Sequence, residues 1–234
     1  MKIGLWNIDH PEHHADRTSR RYQRMRDILT FLKTRDCDLF ILTETNAALQ
    51  LPGYHAYLSA ESPYRKASRD YRPPNRYHQV GIYSRFPLEQ MTLPEPINGV
   101  LCKTLDGESS LWIYGNVITI KDRWQKDSTK TYRDRLEEQL DVFEALASKP
   151  RCIIAGDFNL KVNWPQKRGA FRRLRDFVNQ HGWIWPTETQ TESVQHIIHS
   201  PHLMAKVALD MSVKGRWSDH PFFIVDIQPA SLVD

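Results

Sequence analysis

The amino-acid sequence predicts an α/β fold built from layers of strands and helices. Segments with strand composition alternate with segments of helical periodicity along the whole chain, which is typical of layered α/β domains. No internal repeat and no Gly/Ser-rich linker divides the chain, and 234 residues suffice to bury a sizeable core. The composition, with 40% hydrophobic and 26% charged residues, is that of a globular protein. We therefore expect a single domain over residues 1–234.

Seven segments predict strands, because they are apolar runs or are rich in β-branched and aromatic residues. They are residues 1–8, 38–43, 78–84, 111–120, 151–156, 193–200 and 221–227. Most are too short to be helices, which favours the strand interpretation.

Three segments predict helices, because their apolar residues recur at helical spacing. The first covers residues 19–33, the second is centred on residues 136–146 and closed by Pro150, and the third covers residues 171–178 before a C-cap at Gly182. Two long polar and basic stretches, residues 59–78 and 121–135, match neither pattern. Loops of that length in a compact domain are usually functional or mobile.

Charge and cysteine content narrow the functional classes. The net charge is +4 and the sequence pI is near 8.9, which fits a polyanionic partner. The three cysteines are widely separated and form no CxxC pair, so we expect no disulfide framework and no cysteine zinc site. The sequence shows neither a signal peptide nor an apolar run long enough to span a membrane. We expect a soluble, cytoplasmic protein.

Polar side chains stand at the ends of four predicted strands. They are Asn7 and Asp9 after the first strand, Glu44 after the second, Asp157 and Asn159 in the stretch IIAGDFNL, and Asp219 and His220 before the last strand. Residues two apart on a strand face the same side, which predicts that Asp157 and Asn159 point the same way. One such case is more often a turn. Four cases that combine carboxylates, carboxamides and an imidazole indicate phosphate chemistry.

These motifs resemble those of the endonuclease/exonuclease/phosphatase superfamily, which has the deoxyribonuclease-I-like fold. The matching segments are LWNID, LFILTET, VGIYSRFPL, IIAGDFN, VQHIIHS and WSDHPFFIVDI, and they occur in the family's order over nearly the whole chain. The resemblance implies a four-layer α/β/β/α sandwich, in which two mixed β-sheets pack face to face with helices outside. It also implies a phosphodiesterase or phosphatase that depends on a divalent metal, Mg²⁺ or Mn²⁺.

The candidate metal ligands are carboxylates, because a hard cation prefers oxygen ligands and keeps several of its waters. We expect Glu44 to be the principal ligand and Asp9 its partner, with Asn7 orienting the site. The resemblance places Asp219 near the same metal.

The remaining candidates have catalytic roles. We expect Asp157 to orient or deprotonate the attacking water and Asn159 to hold that water or a phosphoryl oxygen. His220 is expected to donate a hydrogen bond or a proton to the phosphate.

The chain departs from the family pattern at two positions. Relatives usually carry an aspartate at the position of Gln195, and that carboxylate pairs with the C-terminal histidine; a neutral amide stabilises the charge of His220 less. The neighbouring His196 is expected to face away. Many relatives have a histidine where this chain has Thr119, so we consider Asn116 or Tyr114 as substitutes.

Basic and aromatic residues favour nucleic acid, DNA or RNA, as the substrate. Residues 61–78, which include Arg72, carry five Lys/Arg against two acidic residues, and residues 121–135 carry six against three. Trp164, Lys167 and Arg168 follow the GDFN motif and are expected near the metal. Two alternatives stay open, namely a hydrolase of a small phosphate ester or phospholipid head group, and a binding protein with a weakened site. We expect His13 and His14, in the DHPEHH stretch, to be solvated.

Overall fold

Two mixed β-sheets form within the part of the chain that the computed structural model describes, residues 1–62, 75–94, 96–120 and 129–230. The strands are β1 (Lys2–Asn7), β2 (Leu39–Asn46), β3 (His55–Leu58), β4 (Tyr77–Ser84), β5 (Glu89–Met91), β6 (Gly99–Lys103), β7 (Trp112–Val117), β8 (Cys152–Asp157), β9 (Gln195–His199), β10 (Leu203–Asp210) and β11 (Phe222–Pro229). The strand order is β10-β11-β1-β2-β4-β3 in the first sheet and β5-β6-β7-β8-β9 in the second.

Helices cover the outer faces of both sheets. They are α1 (Arg20–Thr34), α2 (Tyr132–Ala147) and α3 (Arg168–Gln180) in the described residues. The side chain of Ser19 caps α1 by accepting a hydrogen bond from Tyr22 N, and Thr131 forms a capping box with Asp134 at the start of α2. Gly182, which follows α3, adopts φ 60°, as the sequence predicted for a C-cap.

Alternating side chains divide the core into three layers. Ile3 and Leu5 of β1 face the second sheet, while Trp6 faces α1. A third cluster lies under α2 and α3 and includes Phe143 and Leu174. This arrangement confirms the four-layer α/β/β/α sandwich.

All seven predicted strands and all three predicted helices are present, and the structure has four further strands that the sequence did not predict. Three of the four, β3, β5 and β10, lie at sheet edges, where exposed side chains interrupt the apolar run. The fourth, β6, is buried but has only five residues and begins with a glycine. The unassigned stretches are shorter than predicted, because residues 77–78 belong to β4 and residues 132–135 to α2. Residues 63–74 and 121–128 lie outside the described residues.

The three cysteines are free and buried, as expected. Burial raises the pKa of the Cys37 thiol to about 11 and that of Cys102 to about 12, so these thiols stay protonated. Among the described helices, none combines the length and the apolar character needed to cross a membrane.

The register of the strands brings several strand ends to one edge of the sandwich. Strand β1 runs parallel to β2, with Asn7 opposite Thr43, and antiparallel to β11. In the second sheet Asp157, the last residue of β8, lies opposite Gln195, the first residue of β9. The polar residues that end β1, β2 and β8 therefore meet the residues that begin β9 and β11.

Candidate active site

Asn7 stands at the centre of the candidate site and joins carboxylates from both sheets. Its side-chain Nδ2 donates to Asp157 Oδ2 at 2.7 Å and to Glu44 Oε1 at 3.2 Å. Its Oδ1 accepts a hydrogen bond from the backbone N–H of Asp9 at 2.9 Å. The side chain lies between the sheets because Asn7 continues the inward-facing positions Ile3 and Leu5 of β1. One carboxamide thus fixes the separation of two acidic groups.

The main chain of Asn7 is held from the other sheet and from the C-terminal loop. Its N–H donates to Gln195 Oε1 at 2.6 Å, and its carbonyl accepts from Ser218 Oγ at 2.6 Å. The amide of Gln195 also donates to Pro221 O at 2.9 Å. These bonds tie β1, β9 and the loop before β11 into one rigid unit.

Glu44 reaches the site because the alternation of β2 changes phase at this residue. Leu39 and Ile41 face the core between the sheets, so regular alternation would place Thr45 there too. Instead, Thr45 Oγ1 lies 3.1 Å from the hydroxyl of Tyr83, on the α1 side. Glu44 itself has φ 53°, a conformation that non-glycine residues rarely adopt within a strand.

Backbone strain is concentrated around this edge. Among the described residues five non-glycine residues have positive φ, and four of them belong to the site: Asp9, His10, Glu44 and Asn159. Such conformations persist only where the surrounding structure fixes them, and they are frequent at functional sites.

Asp157 is the most deeply buried acidic group of the site, with 1% of its surface exposed. Its Oδ1 accepts the N–H of Asn159 at 2.9 Å. Burial raises the pKa of Asp157 above its ordinary value, and the nearby charge of Glu44 adds to this; the charge of His220 and the hydrogen bonds from Asn7 and Asn159 act in the opposite direction.

Asn159 does not follow the spacing argument from the sequence. The strand ends at Asp157, and Asn159 has φ 49°, so the rule that residues i and i+2 face the same side does not apply. Its side-chain amide donates to Ile118 O at 3.1 Å. Asn159 therefore contacts Asp157 through its backbone N–H, in a turn stabilised by the aspartate side chain.

His220 enters the site from the loop before β11. Its Nε2 lies 3.2 Å from Asp219 Oδ1, and its main chain is held by bonds to Ser218 Oγ and from Trp6 Nε1. The side chain of Asp219 is 83% exposed. Gln195 does not take the place of the aspartate that pairs with this histidine in relatives, because both of its described side-chain hydrogen bonds go to main-chain groups. The carboxylate that contacts His220 in this chain is that of Asp219.

Asp9 is paired with an arginine that the sequence analysis did not single out. Its carboxylate is 58% exposed and lies 3.3 Å from Arg24 Nη2. The guanidinium of Arg24 also donates to the carbonyls of Ile8, Asp9 and Trp217. Arg24 thus connects α1 to both loops that flank Asn7. Helical periodicity places Arg24 on the basic face of α1, which gives no signal for this role.

His10 was also missed, although it lies beside the principal candidate ligand. It is buried, and its Nε2 lies 3.5 Å from Glu44 Oε2. In the same DHPEHH stretch His13 is exposed, and the ring of His14 contacts the main chain of Asp16. The histidine nearest the strand end is therefore the one that joins the site.

Asn116 and Tyr114 are not brought to the site. Both side chains face α2, where Tyr114 OH donates to Gln139 Oε1 at 2.8 Å and Asn116 Nδ2 lies 3.3 Å from the same oxygen. The reason is strand alternation, because Ile113 and Val117 occupy the inward positions of β7. Arg72 lies outside the described residues.

Trp164 and Thr119 lie near the ends of β8 and β7. Trp164 is half-buried just before α3, and its ring lies 5.0 Å from the Lys167 ammonium, which contacts Asn159. Thr119 is buried.

His196 faces away from the site, as predicted. Its Nε2 donates to Leu160 O, its Nδ1 accepts from Trp185 Nε1, and burial lowers its pKa to about 4.

The donor set fits a hard divalent cation. Glu44 and Asp157 are two carboxylates joined by a single amide, with Asp9 and Asp219 on the flanking loops. In the described part of the chain no three His, Cys, Asp or Glu side chains form a complete metal cage. Mg²⁺ does not need one, because it retains several waters and is commonly bound by one or two carboxylates. A cation beside Glu44 would also offset the repulsion from Glu44, which adds to the effect of burial in raising the pKa of Asp157.

Comparison with known proteins identifies the family. Residues 4–220 match the model of the Endonuclease/Exonuclease/phosphatase family. The chain therefore belongs to this family, whose members are hydrolases that act on phosphate esters. No curated protein matches the chain in a sequence comparison.

Solved structures share the fold at low sequence identity. The endonuclease domain of TRAS1, a telomere-specific non-LTR retrotransposon, has a TM-score of 0.64 and 13% identity, covering 97% of this chain and 98% of that one. TDP2 from D. rerio, complexed with a single-strand DNA product, has a TM-score of 0.60 and 17% identity, with coverages of 97% and 98%. A mannosyl-6-phosphatase from Bacteroides thetaiotaomicron has a TM-score of 0.61 and 14% identity, with coverages of 97% and 99%.

Proposed function

We propose that this protein is a divalent-metal-dependent phosphodiester hydrolase that cleaves nucleic acid. The observation that carries the proposal is the bridge from Asn7 to Glu44 and Asp157, at 3.2 Å and 2.7 Å. It sets a candidate metal ligand and a candidate base side by side at the rigid edge of two sheets. Phosphodiester hydrolysis requires this combination of charge neutralisation and water activation.

The two central carboxylates have different proposed roles, because their surroundings differ. Glu44 would hold the cation, with Asp9 and Asp219 as further carboxylates, and the cation would polarise the phosphoryl oxygens. Asp157 is oriented by Asn7 and by the N–H of Asn159, so its carboxylate is aimed to accept a proton from the attacking water.

His220 is suited to donate a hydrogen bond or a proton to the phosphate. Its Nε2 lies 3.2 Å from Asp219 Oδ1, and this contact orients the imidazole. The charge of His220 acts to lower the pKa of Asp157, which supports a joint role of the two groups at one phosphate.

Charge and the aromatic surroundings favour nucleic acid over a small ester. The chain has a net charge of +4, and just after the GDFN motif the ring of Trp164 lies 5.6 Å from the ammonium of Lys161 and 5.0 Å from that of Lys167. Cationic groups attract the phosphate backbone. Structural relatives include a retrotransposon endonuclease domain and TDP2 with a single-strand DNA product, and also a sugar phosphatase.

A panel of substrates tests the proposal. The purified chain is incubated with Mg²⁺ or with EDTA and with single-stranded DNA, double-stranded DNA, RNA or bis(p-nitrophenyl) phosphate. We expect Mg²⁺-dependent cleavage of at least one nucleic acid and its loss in Asp157→Asn. Turnover of the simple ester alone would favour the small-ester hydrolase, and inactivity on every substrate would favour a binding protein with a weakened site.

A further inference from the structure

Lys167 occupies a fixed position against the loop that follows Asp157. Its ammonium donates a hydrogen bond to the carbonyl of Asn159 and lies 3.9 Å from the centre of the Tyr132 ring. The hydroxyl of Tyr132 donates to Phe158 O at 2.5 Å. Two consecutive carbonyls of the GDFN loop are therefore bound by side chains from α2 and from the residue just before α3.

The ammonium has no carboxylate partner at ion-pair distance in the described part of the chain, although it is half-buried. Burial lowers the pKa of Lys167 to about 8, while the charge of Asp157 raises it. A desolvated cation of this kind is costly unless an anion or hydrogen-bond acceptors compensate it.

The donor capacity of Lys167 is only partly used. An ammonium has three N–H donors, and one of them is directed to Asn159. The Tyr132 ring offers a π-face to the same cation but no conventional acceptor. Donors therefore remain for a ligand that approaches the GDFN loop from solvent.

We propose that Lys167 binds the substrate, by donating from its fixed ammonium to an anionic phosphate oxygen of the ester that lies against Asp157. This assignment rests on the proposed hydrolase function and adds to it a residue that recognises phosphate. Lys161 adds a second positive charge near the same ring, because its ammonium lies 5.6 Å from the Trp164 ring and that of Lys167 lies 5.0 Å from it. A preorganised cation next to the reacting group stabilises negative charge without reorganisation.

A purely structural role for Lys167 makes different predictions. A brace that only holds the Asn159 carbonyl would affect thermal stability and kcat, but neither KM nor the salt dependence. A phosphate contact affects both KM and the salt dependence of binding. Neutralising one phosphate of a single strand adds about 0.7 to the steepness with which log affinity falls against log salt. The two roles therefore separate in binding measurements.

The matched control is Lys149. Its ammonium also lies over an aromatic ring, 4.7 Å from the centre of Trp112, and Trp112 begins β7 at the opposite end of the second sheet from Asp157. Lys149→Met removes the same charge from a comparable cation–π contact. Lys167→Arg retains the positive charge but changes the size and donor geometry of the side chain, so it distinguishes the effect of charge from that of geometry.

The experiment compares the full chain with Lys167→Met, Lys167→Arg and Lys149→Met. Hydrolysis is measured with Mg²⁺ over a salt series, and binding of a fluorescent single-stranded oligonucleotide is measured by anisotropy with Ca²⁺. Melting temperatures show whether each variant folds. For Lys167→Met we expect KM and Kd to rise by about tenfold or more and the salt slope to fall by about 0.7, with partial retention in Lys167→Arg and near-normal values in Lys149→Met.

Each outcome decides a separate point. Cleavage by the wild type with the same KM and salt slope in Lys167→Met and Lys149→Met overturns the assignment of Lys167 and leaves the proposed function standing. Binding that depends on Lys167 without any cleavage overturns the proposed function and supports the phosphate contact. Absence of both cleavage and binding overturns both.

Discussion

Asn7 donates a hydrogen bond from its side-chain amide to Asp157 at 2.7 Å, although 150 residues separate the two in the chain. The bond crosses from the end of β1 in one sheet to the end of β8 in the other. The same amide reaches Glu44 at 3.2 Å. This arrangement makes Asn7 the element on which the geometry of the candidate site depends.

Replacing Asn7 by alanine tests that dependence. We expect kcat to fall by about 10²-fold or more, because both carboxylates lose the group that positions them. The free energy of unfolding should fall by roughly 1–3 kcal/mol, since Asp157 loses a buried donor. Steady-state kinetics and urea denaturation measure the two effects. Asn179→Ala, at an exposed position of α3, is the control, and an equal loss in both variants would contradict the role of Asn7.

Glu44→Gln tests the candidate metal ligand. The substitution keeps the size of the side chain but removes its charge, so the affinity for Mn²⁺ should fall at least about tenfold. Isothermal titration calorimetry measures this affinity in the absence of substrate. Glu144→Gln, on the exposed face of α2, should bind Mn²⁺ as the wild type does. Undiminished binding by Glu44→Gln would show that the cation lies elsewhere.

The raised pKa of Asp157 predicts how stability depends on pH without metal. The folded state holds the proton of Asp157 more tightly than the unfolded state, so this contribution to stability is complete below the ordinary value of 3.8 and is lost as the pH rises through the raised value. Asp157→Asn removes the ionisation. We therefore expect the melting temperature of the variant relative to wild type to increase between about pH 4 and pH 8 in EDTA. A constant difference over this range would refute a raised pKa.

Arg24 is expected to act as a positioning residue. It bonds to the carbonyls of Ile8, Asp9 and Trp217, so Arg24→Met should release both loops that flank Asn7. By analogy with groups that orient metal ligands, we expect activity and Mn²⁺ affinity to fall by about 10–100-fold. Arg26→Met is the control on the same helix, because Arg26 is largely exposed and pairs only with Asp27 among its described contacts. Equal, small effects in the two variants would argue against positioning by Arg24.

Gln195 is expected to be structural in this chain. Its side chain satisfies the N–H of Asn7 and the carbonyl of Pro221, so Gln195→Ala should lower the free energy of unfolding by at least ~2 kcal/mol. Gln195→Asp restores the residue type usual in relatives, but the shorter side chain cannot keep both bonds. We therefore expect Gln195→Asp to lower the melting temperature without raising kcat. A gain in kcat would show that a carboxylate at position 195 supports His220 better than Asp219 does.

The sequence predicted the architecture well, because buried strands and helices show a recognisable pattern of apolar residues. The central strands β1, β2, β4 and β8 are apolar on both faces, and helices α1–α3 carry a clear apolar stripe. The edge strands β3, β5 and β10 lack this pattern, because exposed residues interrupt their apolar runs. Motifs at strand ends likewise predicted Asn7, Glu44, Asp157 and His220 as site residues, and the structure joins the first three by hydrogen bonds.

The finer geometry of the site was not accessible from patterns. The phase change at Glu44 and the left-handed conformation of Asn159 depend on local backbone strain, which no periodicity reports. Arg24 and His10 join the site through contacts between distant elements, so their local sequence resembles a solvated surface. Asn116 was misplaced because a strand of uncertain phase can direct its side chains to either face.

The central claim is that Glu44 and Asp157 share one pocket with a divalent cation and the phosphate. Anomalous diffraction from crystals soaked in Mn²⁺ together with a nucleotide measures this most directly. We predict one peak coordinated by the Glu44 carboxylate, with a nucleotide phosphate between that peak and Asp157. A peak remote from Glu44, or no peak at saturating Mn²⁺, would contradict the proposed site.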